Sequence, residues 1–316
     1  MKLRKNFALV PMLAVLASHA GWSQAPSKIL IGCTLQNQSE EYMTMLKGAM
    51  ELQLKKYPNV QLIINDGQGK AELQAAQLDS FIAQKAKAVI ICPVDASALT
   101  PAVKSVVDAG IPCITLSADV AKNVGQVWIG SENQSGGETE AKFIAERLGG
   151  KGNIAVLRGP LGAFAEQGRF EGYKRVFDKN PGLKVVFDQT GNWQRDEAMS
   201  LMENWLSTGT RIDAVLCQND GMALGALEAI KAAGKLGKIK IAGIDAIKDA
   251  LDSVKAGVLD ATCFQDAIGQ GKGALDLAVK AASGQQLKDK RVNIPFELVV
   301  KGNVAGYYSR IKLPTN

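Results

Sequence analysis

The sequence predicts an α/β protein made of two doubly wound parallel-sheet lobes, and three observations predict it. From Lys28 onward, short apolar runs alternate with longer segments of helical period, with few breaks. The runs are rich in Val and Ile and apolar on both faces, as strands covered by helices on each side must be. There are about ten of them, more than one hydrophobic core holds comfortably, so they divide between two lobes.

In chain order the strand-like runs are "KILIGC" (28–33), "VQLIIND" (60–66), "AVIICP" (88–93), "PCITLS" (112–117), "VWIG" (127–130), "NIAVLRG" (153–159), "KVVFDQ" (184–189), "DAVLCQ" (213–218), "KIAGID" (240–245) and "ATCFQ" (261–265). Helical patterns fall between most of them, at 40–57, 70–86, 97–109, 133–149, 163–179, 195–208, 220–233 and 266–283. That alternation implies right-handed crossovers between parallel strands. Neither a low-complexity tract nor a long polar linker divides the lobes, and "PFELVVKG" (295–302) adds one final strand.

The N-terminus has a different character. Lys2, Arg4 and Lys5 precede an apolar stretch from Phe7 to Ala17, and small residues recur at Ser18, Ala20, Ser23 and Ala25. Residues 1–25 read as a secretory signal peptide, with a cut after Ala20 preferred to one that leaves Pro26 first. The apolar stretch is shorter than the roughly 20 residues a membrane span needs. The expected mature protein is therefore exported to the periplasm and soluble. The formal charge is +6, of which the signal carries three, and a remainder of about +3 is no footprint for nucleic acid. Cys33, Cys92, Cys113, Cys217 and Cys263 lack metal spacing and sit in apolar runs, as buried free thiols do. The single histidine, His19, falls inside the signal. A His-based triad, general base or metal site is thereby excluded, and neither a metal nor a cofactor is expected.

In an open parallel sheet, ligands bind beyond the carboxyl ends of the strands. Those ends carry Asn65-Asp66-Gly67, Ser117-Ala118-Asp119, Gln218-Asn219-Asp220, Asp245 and Gln265. Neither "GKGALD" nor "GSENQSGGE" has the spacing of a phosphate or dinucleotide loop. Short carboxylates and amides suit hydroxyl groups, which donate and accept together, so a neutral polyhydroxy ligand is expected. Several of these residues have a plainer reading as well. Asp220 and Asp245 are good helix caps, Asn219 a turn former, and Tyr42 a packing residue. Trp193, in "QTGNWQRDEA", is either core or a platform for a sugar ring.

"AVLCQNDGMALGALEAIKAAGK" (214–235) resembles the corresponding stretch of the exported sugar-binding proteins of ABC importers, the ribose-binding type in particular. The likeness extends through "KGAMELQLKKYPNVQLIINDGQG", "GSENQSGGETEAKFIAERLGGKGNIAVLRGP", "QGRFEGYKRVF", "AGID" and "ATCFQDAIGQGKGALDLA". Related repressors share the fold but begin with a DNA-binding helix-turn-helix, whose place an export signal takes here. The resemblance implies the type I periplasmic binding protein fold, two lobes joined by three crossovers and closing on a sugar. The lobes would be 26–131 with 266–293, and 132–265 with 294–316. It further implies that Asn219, Asp245 and Gln265 bind hydroxyls, that Trp193 and Tyr42 stack on the ring, and that Asn37 adds a polar contact. Asp220 is then left as the cap of the helix that follows.

The departures from that pattern bear on the ligand. Glu41 stands at the first stacking position, in a loop, "QNQSEEY", about two residues longer than the family's. Ser117-Ala118 replaces an Asp-Arg pair, with Asp119 one place later, and Gln167 replaces the ligand arginine of the second lobe, while Arg169 matches a structural one. With two arginines gone, Glu41, Ser117, Asp119 and Gln167 make up an uncharged or acidic set. They point away from ribose to another sugar, polyol or inositol, with Glu40 or Glu41 supplying acceptors. The expected partners are a membrane permease of an ABC importer and, in a sensory role, a chemoreceptor. The protein is expected to act as a monomer. An exported carbohydrate-acting enzyme is the competing class, but no pair of acids stands at a recognisable catalytic spacing.

Overall fold

The computed structural model describes residues 28–121 and 124–313; the expected signal segment lies outside them. The strands are β1 (Ile29–Leu35), β2 (Val60–Asp66), β3 (Ala88–Ile91), β4 (Cys113–Leu116), β5 (Val127–Gly130), β6 (Lys151–Arg158), β7 (Gly182–Thr190), β8 (Ala214–Cys217), β9 (Lys240–Asp245), β10 (Ala261–Phe264), β11 (Arg291–Asn293) and β12 (Glu297–Val299). The helices are α1 (Glu41–Leu54), α2 (Ala71–Ala83), α3 (Ala96–Asp108), α4 (Asn133–Arg147), α5 (Phe164–Phe177), α6 (Arg195–Ser207), α7 (Asp220–Ala232), α8 (Lys248–Ala256), α9 (Ala267–Ala282) and α10 (Tyr308–Ile311).

These elements form two six-stranded sheets, ordered β11-β5-β4-β3-β1-β2 and β12-β10-β9-β8-β6-β7. Every pairing is parallel except that of β12, which runs antiparallel to β10 from Thr262↔Val299 to Phe264↔Glu297. In each sheet the strand order reverses beside the first strand, between β1 and β3 and between β6 and β8, which is where an open sheet forms a crevice. Strands β3, β4, β8 and β10 are buried at every residue, so hydrophobic burial on both faces holds each layer together. The α/β class read from the alternation is the class observed.

The chain passes between the sheets after β5, after β10 and between β11 and β12. Ser131 joins these passages: its hydroxyl donates to the Ile294 carbonyl at 2.5 Å and accepts from Gln270 Nε2 at 2.9 Å. After α10 the chain turns back to α1, where Leu313 packs against Gly48.

All five cysteines are free and buried. Burial pushes the Cys92 thiol up to about 12, which leaves it an inert apolar filler. Three elements escaped the sequence reading, the four-residue α10 among them. Helix α8 has nine residues, four of them charged, and β11 is the three-residue edge strand "RVN" without an apolar run. No helix among the described residues is long and apolar enough to cross a membrane.

Candidate functional site

The carboxyl ends of the two sheets face each other across a narrow cavity. Its first-sheet wall comprises Gln36, Glu40, Tyr42, Met43, Ser117 and Ala118, and its second-sheet wall comprises Ala165, Arg169, Trp193, Asn219, Asp245 and Gln265. The cavity opens into an outer cleft bordered by Glu41, Gln194, Arg195, Leu224 and Ile247.

The second-sheet wall is cross-linked around Arg169. On α5 the buried positions are Glu166, Arg169, Gly172, Tyr173 and Val176, a helical stripe that turns Arg169 inward. Helices α4 and α5 touch backbone to backbone, and a Cβ on Gly137 would fall 2.1 Å from the Arg169 carbonyl oxygen. Only a residue without a side chain fits there, and the close approach fixes where the arginine starts. Its Nε donates to Asn133 Oδ1 at 3.1 Å, one Nη to Gln265 Oε1 at 2.7 Å and the other to the Gln218 carbonyl. Asp245 Oδ1 lies 3.9 Å away as the ionic partner.

Asn219 closes β8 and caps α7: its Oδ1 accepts from the Met222 N–H at 2.9 Å, while its Nδ2 donates to the Trp193 carbonyl at 3.2 Å. Trp193 lies flat on Gly159, where a Cβ would fall 2.0 Å from the indole. Its other face is left for the cavity, with the Arg169 guanidinium 5.5 Å from the ring centre. Backbone strain collects in the same place. Ser117, Trp193 and Asp245 have φ of 61°, 64° and 129°, and their neighbours Asn192 and Ala246 are also positive. Such backbone costs about 1–3 kcal/mol per residue and persists where surrounding structure enforces it, typically at ligand sites.

The first-sheet wall is far less tied. Tyr42 is buried, yet its hydroxyl has no hydrogen-bond partner; Ser117 lies beside it without the required geometry. Among the described residues the Glu40 carboxylate makes no hydrogen bond and no ion pair, whereas that of Glu41, at the mouth, accepts from the Lys248 backbone N–H. Across the inner cavity Gln265 Nε2 donates to Ser117 Oγ at 3.3 Å.

Burial dominates the electrostatics. It pushes Glu40 up to about 8, against the opposing pull of Arg169 and with help from Asp66. Asp245 is raised well above the usual carboxylate range, first by burial and then by Asp220, Glu40 and Glu41, while Arg169 opposes. Acceptors, one guanidinium and an aromatic face therefore surround the space. That set can hold a small molecule with several hydroxyl groups, and it contains no nucleophile paired with a base.

The family model for the periplasmic binding protein domain matches residues 31–286. The chain belongs to that family. A periplasmic binding protein of Rhizobium meliloti assigned to rhizopine binding is 37% identical over 97% of this chain and 99% of its own length. A xylitol-binding protein of Mycolicibacterium smegmatis is 38% identical over 92% of this chain and 83% of its own. Among solved structures, an ABC transporter solute-binding protein of Bacillus halodurans with bound myo-inositol superposes with a TM-score of 0.87 at 39% identity, covering 90% of this chain and 98% of that one.

Within this periplasmic binding protein, six of the residues singled out in the sequence meet at the inner cavity: Tyr42, Ser117, Trp193, Asn219, Asp245 and Gln265. Glu41 borders the outer cleft instead. Three others lie elsewhere. Asn37 turns the loop before α1, its Oδ1 accepting from the Ser39 N–H at 3.1 Å, and Gln36 lines the cavity in its stead. Asp119 accepts from Thr115 and the Val120 N–H and pairs with Arg291 at 3.1 Å, at the edge of the first sheet. Gln167 is exposed and donates to the Gly162 carbonyl.

Arg169, read from the sequence as a structural arginine, lines the cavity with its N–H groups taken by Asn133, Gln218 and Gln265. Residues 167 and 169 are two apart on α5, about 200° around the helix, so only one can face the cavity. The spacing Glu166, Arg169, Tyr173 was the available signal. The capping assignment is reversed too: Asn219 caps α7, while Asp220 accepts from the Ile247 N–H at 3.0 Å and Thr262 Oγ1 at 2.7 Å, fastening the loop that presents Asp245.

Proposed function

We propose that this chain captures a monosaccharide, polyol or cyclitol by closing its two lobes, divided as 26–131 with 266–293 and 132–265 with 294–316, and delivers it to the permease of an ABC importer. The observation that carries this reading is a cavity between the strand ends of two sheets, into which the buried Tyr42 hydroxyl and the Asp245 carboxylate open without a hydrogen bond from the protein. Buried polar groups left unpaired are costly, and ligand hydroxyls supply the missing partners. Because Tyr42 and Glu40 belong to one lobe and Trp193, Asn219 and Asp245 to the other, a ligand that contacts both favours the closed state over the open one. The resemblance drawn from the sequence sets Ser117 and Ala118 against an acid and an arginine of the ribose-binding type, which favours polyols and cyclitols over ribose; relatives named for xylitol and myo-inositol support that choice. Residues 1–25 direct export, the protein works as a monomer, and it releases its ligand unchanged.

A sensory role is the second reading. It is favoured by a structural neighbour, the fructose-binding periplasmic domain of a hybrid two-component system, at 26% identity and a TM-score of 0.84. Pull-down with permease and receptor ectodomains separates the two.

The test is thermal denaturation of the purified chain with myo-inositol, xylitol, ribose and allose. At least one is expected to raise Tm saturably, by the equivalent of about 2.7 kcal/mol at 100 times its Kd, and to be recovered intact. A rise with none of them, alongside a rise with a charged metabolite that lacks hydroxyls, would overturn the reading.

A further inference from the structure

A second cavity, of about 250 Å³, lies at the edge of the first sheet and shares no lining residue with the cleft. Strand register sets its floor: Thr115 on β4, Trp128 on β5 and Arg291 on β11 are direct neighbours across three parallel strands, so their side chains stand on one face. A Cβ on Gly125 would crowd the Thr115 methyl at 3.1 Å, and its absence keeps the floor uncovered. Asp119, Gln126 and Lys290 complete the lining. The groups left free there are donors. Trp128 is 2% exposed, and its Nε1–H is buried without an acceptor, an arrangement that is rare and costly. The Arg291 guanidinium covers the indole face at 3.9 Å from the ring centre and is held by Asp119 at 3.1 Å and by Glu132 at 3.0 Å. Asp119 is fully engaged, since it also accepts from Thr115 Oγ1 and the Val120 N–H. Of the three charges lining the cavity, Asp119 answers Arg291, and Lys290 has no ion pair among the described residues.

We propose that this cavity is a second binding site, independent of the cleft and its ligand, for a small organic monocarboxylate that accepts hydrogen bonds from Trp128 Nε1 and Lys290 Nζ. An ionised carboxylate offers acceptors and no donor, which matches a lining whose unpaired groups are an indole N–H and an ammonium. One negative charge also matches the one cation that no acid answers. The volume far exceeds the roughly 30 Å³ share of a single water, so there is room for an acid of several carbons. A neutral acceptor would satisfy the indole but gain little from Lys290, so charge decides between the two.

The test is titration of the full chain, isotope-labelled at its tryptophan indoles, with butyrate and with its neutral counterpart butyramide, at constant ionic strength set with chloride. The indole N–H resonances are followed, and Trp128→Phe assigns the Trp128 signal by its loss. Butyrate is expected to move that signal saturably with a Kd of about 1 mM or tighter, while the signal of Trp193 in the cleft stays in place. Butyramide should bind about threefold more weakly or worse, because charge-assisted hydrogen bonds are the stronger ones. Lys290 is exposed, so Lys290→Gln should keep the parent Tm and lose about threefold in butyrate affinity. No saturable movement of the Trp128 signal, or the same movement with chloride alone, would overturn the site. An amide that binds as tightly as the acid, or butyrate affinity unchanged in Lys290→Gln, would overturn the assignment to a carboxylate.

Discussion

The two walls of the cavity are built on different principles. On the second-sheet wall, Arg169 ties together Asn133, Gln218 and Gln265, Asn219 caps α7 while holding the Trp193 backbone, and Asp220 fastens the loop that presents Asp245. These side chains would keep their places with the cleft open. On the first-sheet wall, the Tyr42 hydroxyl has Ser117 beside it but no well-formed hydrogen bond, and the Glu40 carboxylate has no hydrogen bond or ion pair among the described residues. The difference separates a preorganised platform, whose order is already established on folding, from a set of groups that become satisfied only on a ligand. Substitutions on the platform should therefore damage stability and binding together, and substitutions on the opposite wall should damage binding alone.

The largest expected effect comes from Arg169→Met. It leaves Asp245 buried without a counter-charge and Gln265 without its donor, at a cost of about 3–5 kcal/mol, readable as a lower urea midpoint in unliganded protein. Unchanged stability would break the contrast between the walls. Next is Trp193→Ala, which removes the aromatic face and is expected to cost binding about 2 kcal/mol or more, a loss of roughly 30-fold in Kd by titration. Tyr42→Phe should weaken binding about fivefold, equivalent to about 1 kcal/mol, while the melting temperature without ligand holds or rises. A drop in that temperature would show that the hydroxyl has a structural partner after all.

The smallest expected effect is on pH dependence. Glu40 is raised from 4.5 to about 8, and Glu140 and Asp220 are raised to about 8 and about 7. Between pH 4.5 and 8 the folded closed form holds protons that the unfolded chain has released, so its stability falls as pH rises through that window. Below 4.5 both states are protonated and the penalty vanishes. Glu40→Gln should flatten part of this slope in unliganded protein, measured as Tm against pH, and an unaltered slope would place Glu40 in solvent.

The sequence made most of the fold legible because burial on both strand faces and the helical period are strong, local signals. Helix α8 and strand β11 escaped because they are short and largely polar. At the site, residues at strand ends were found readily: Ser117, Asn219, Asp245 and Gln265 sit where the topology of an open sheet puts them. Residues on helices and loops were less secure. Gln167 and Arg169 are separated by two positions, and helical phase rather than alignment decides which points inward. Asn37 and Gln36 are adjacent in a loop without a fixed period, so which of them faces the cavity could not be read from residue type. The orphaned Tyr42 hydroxyl was invisible in the sequence, because it depends on what packs against the ring from both lobes.

The division between a prebuilt wall and a ligand-completed wall is tested most directly by a crystal structure of the chain with whichever polyhydroxy compound binds most tightly. The expected result is a ligand donor or acceptor within roughly 2.6–3.2 Å of both Tyr42 Oη and the Asp245 carboxylate, with the ring against Trp193 and the Arg169 hydrogen bonds to Asn133, Gln218 and Gln265 retained. A ligand seated outside this cavity, or one inside it that leaves Tyr42 Oη unpartnered while the Arg169 cluster rearranges, would contradict it.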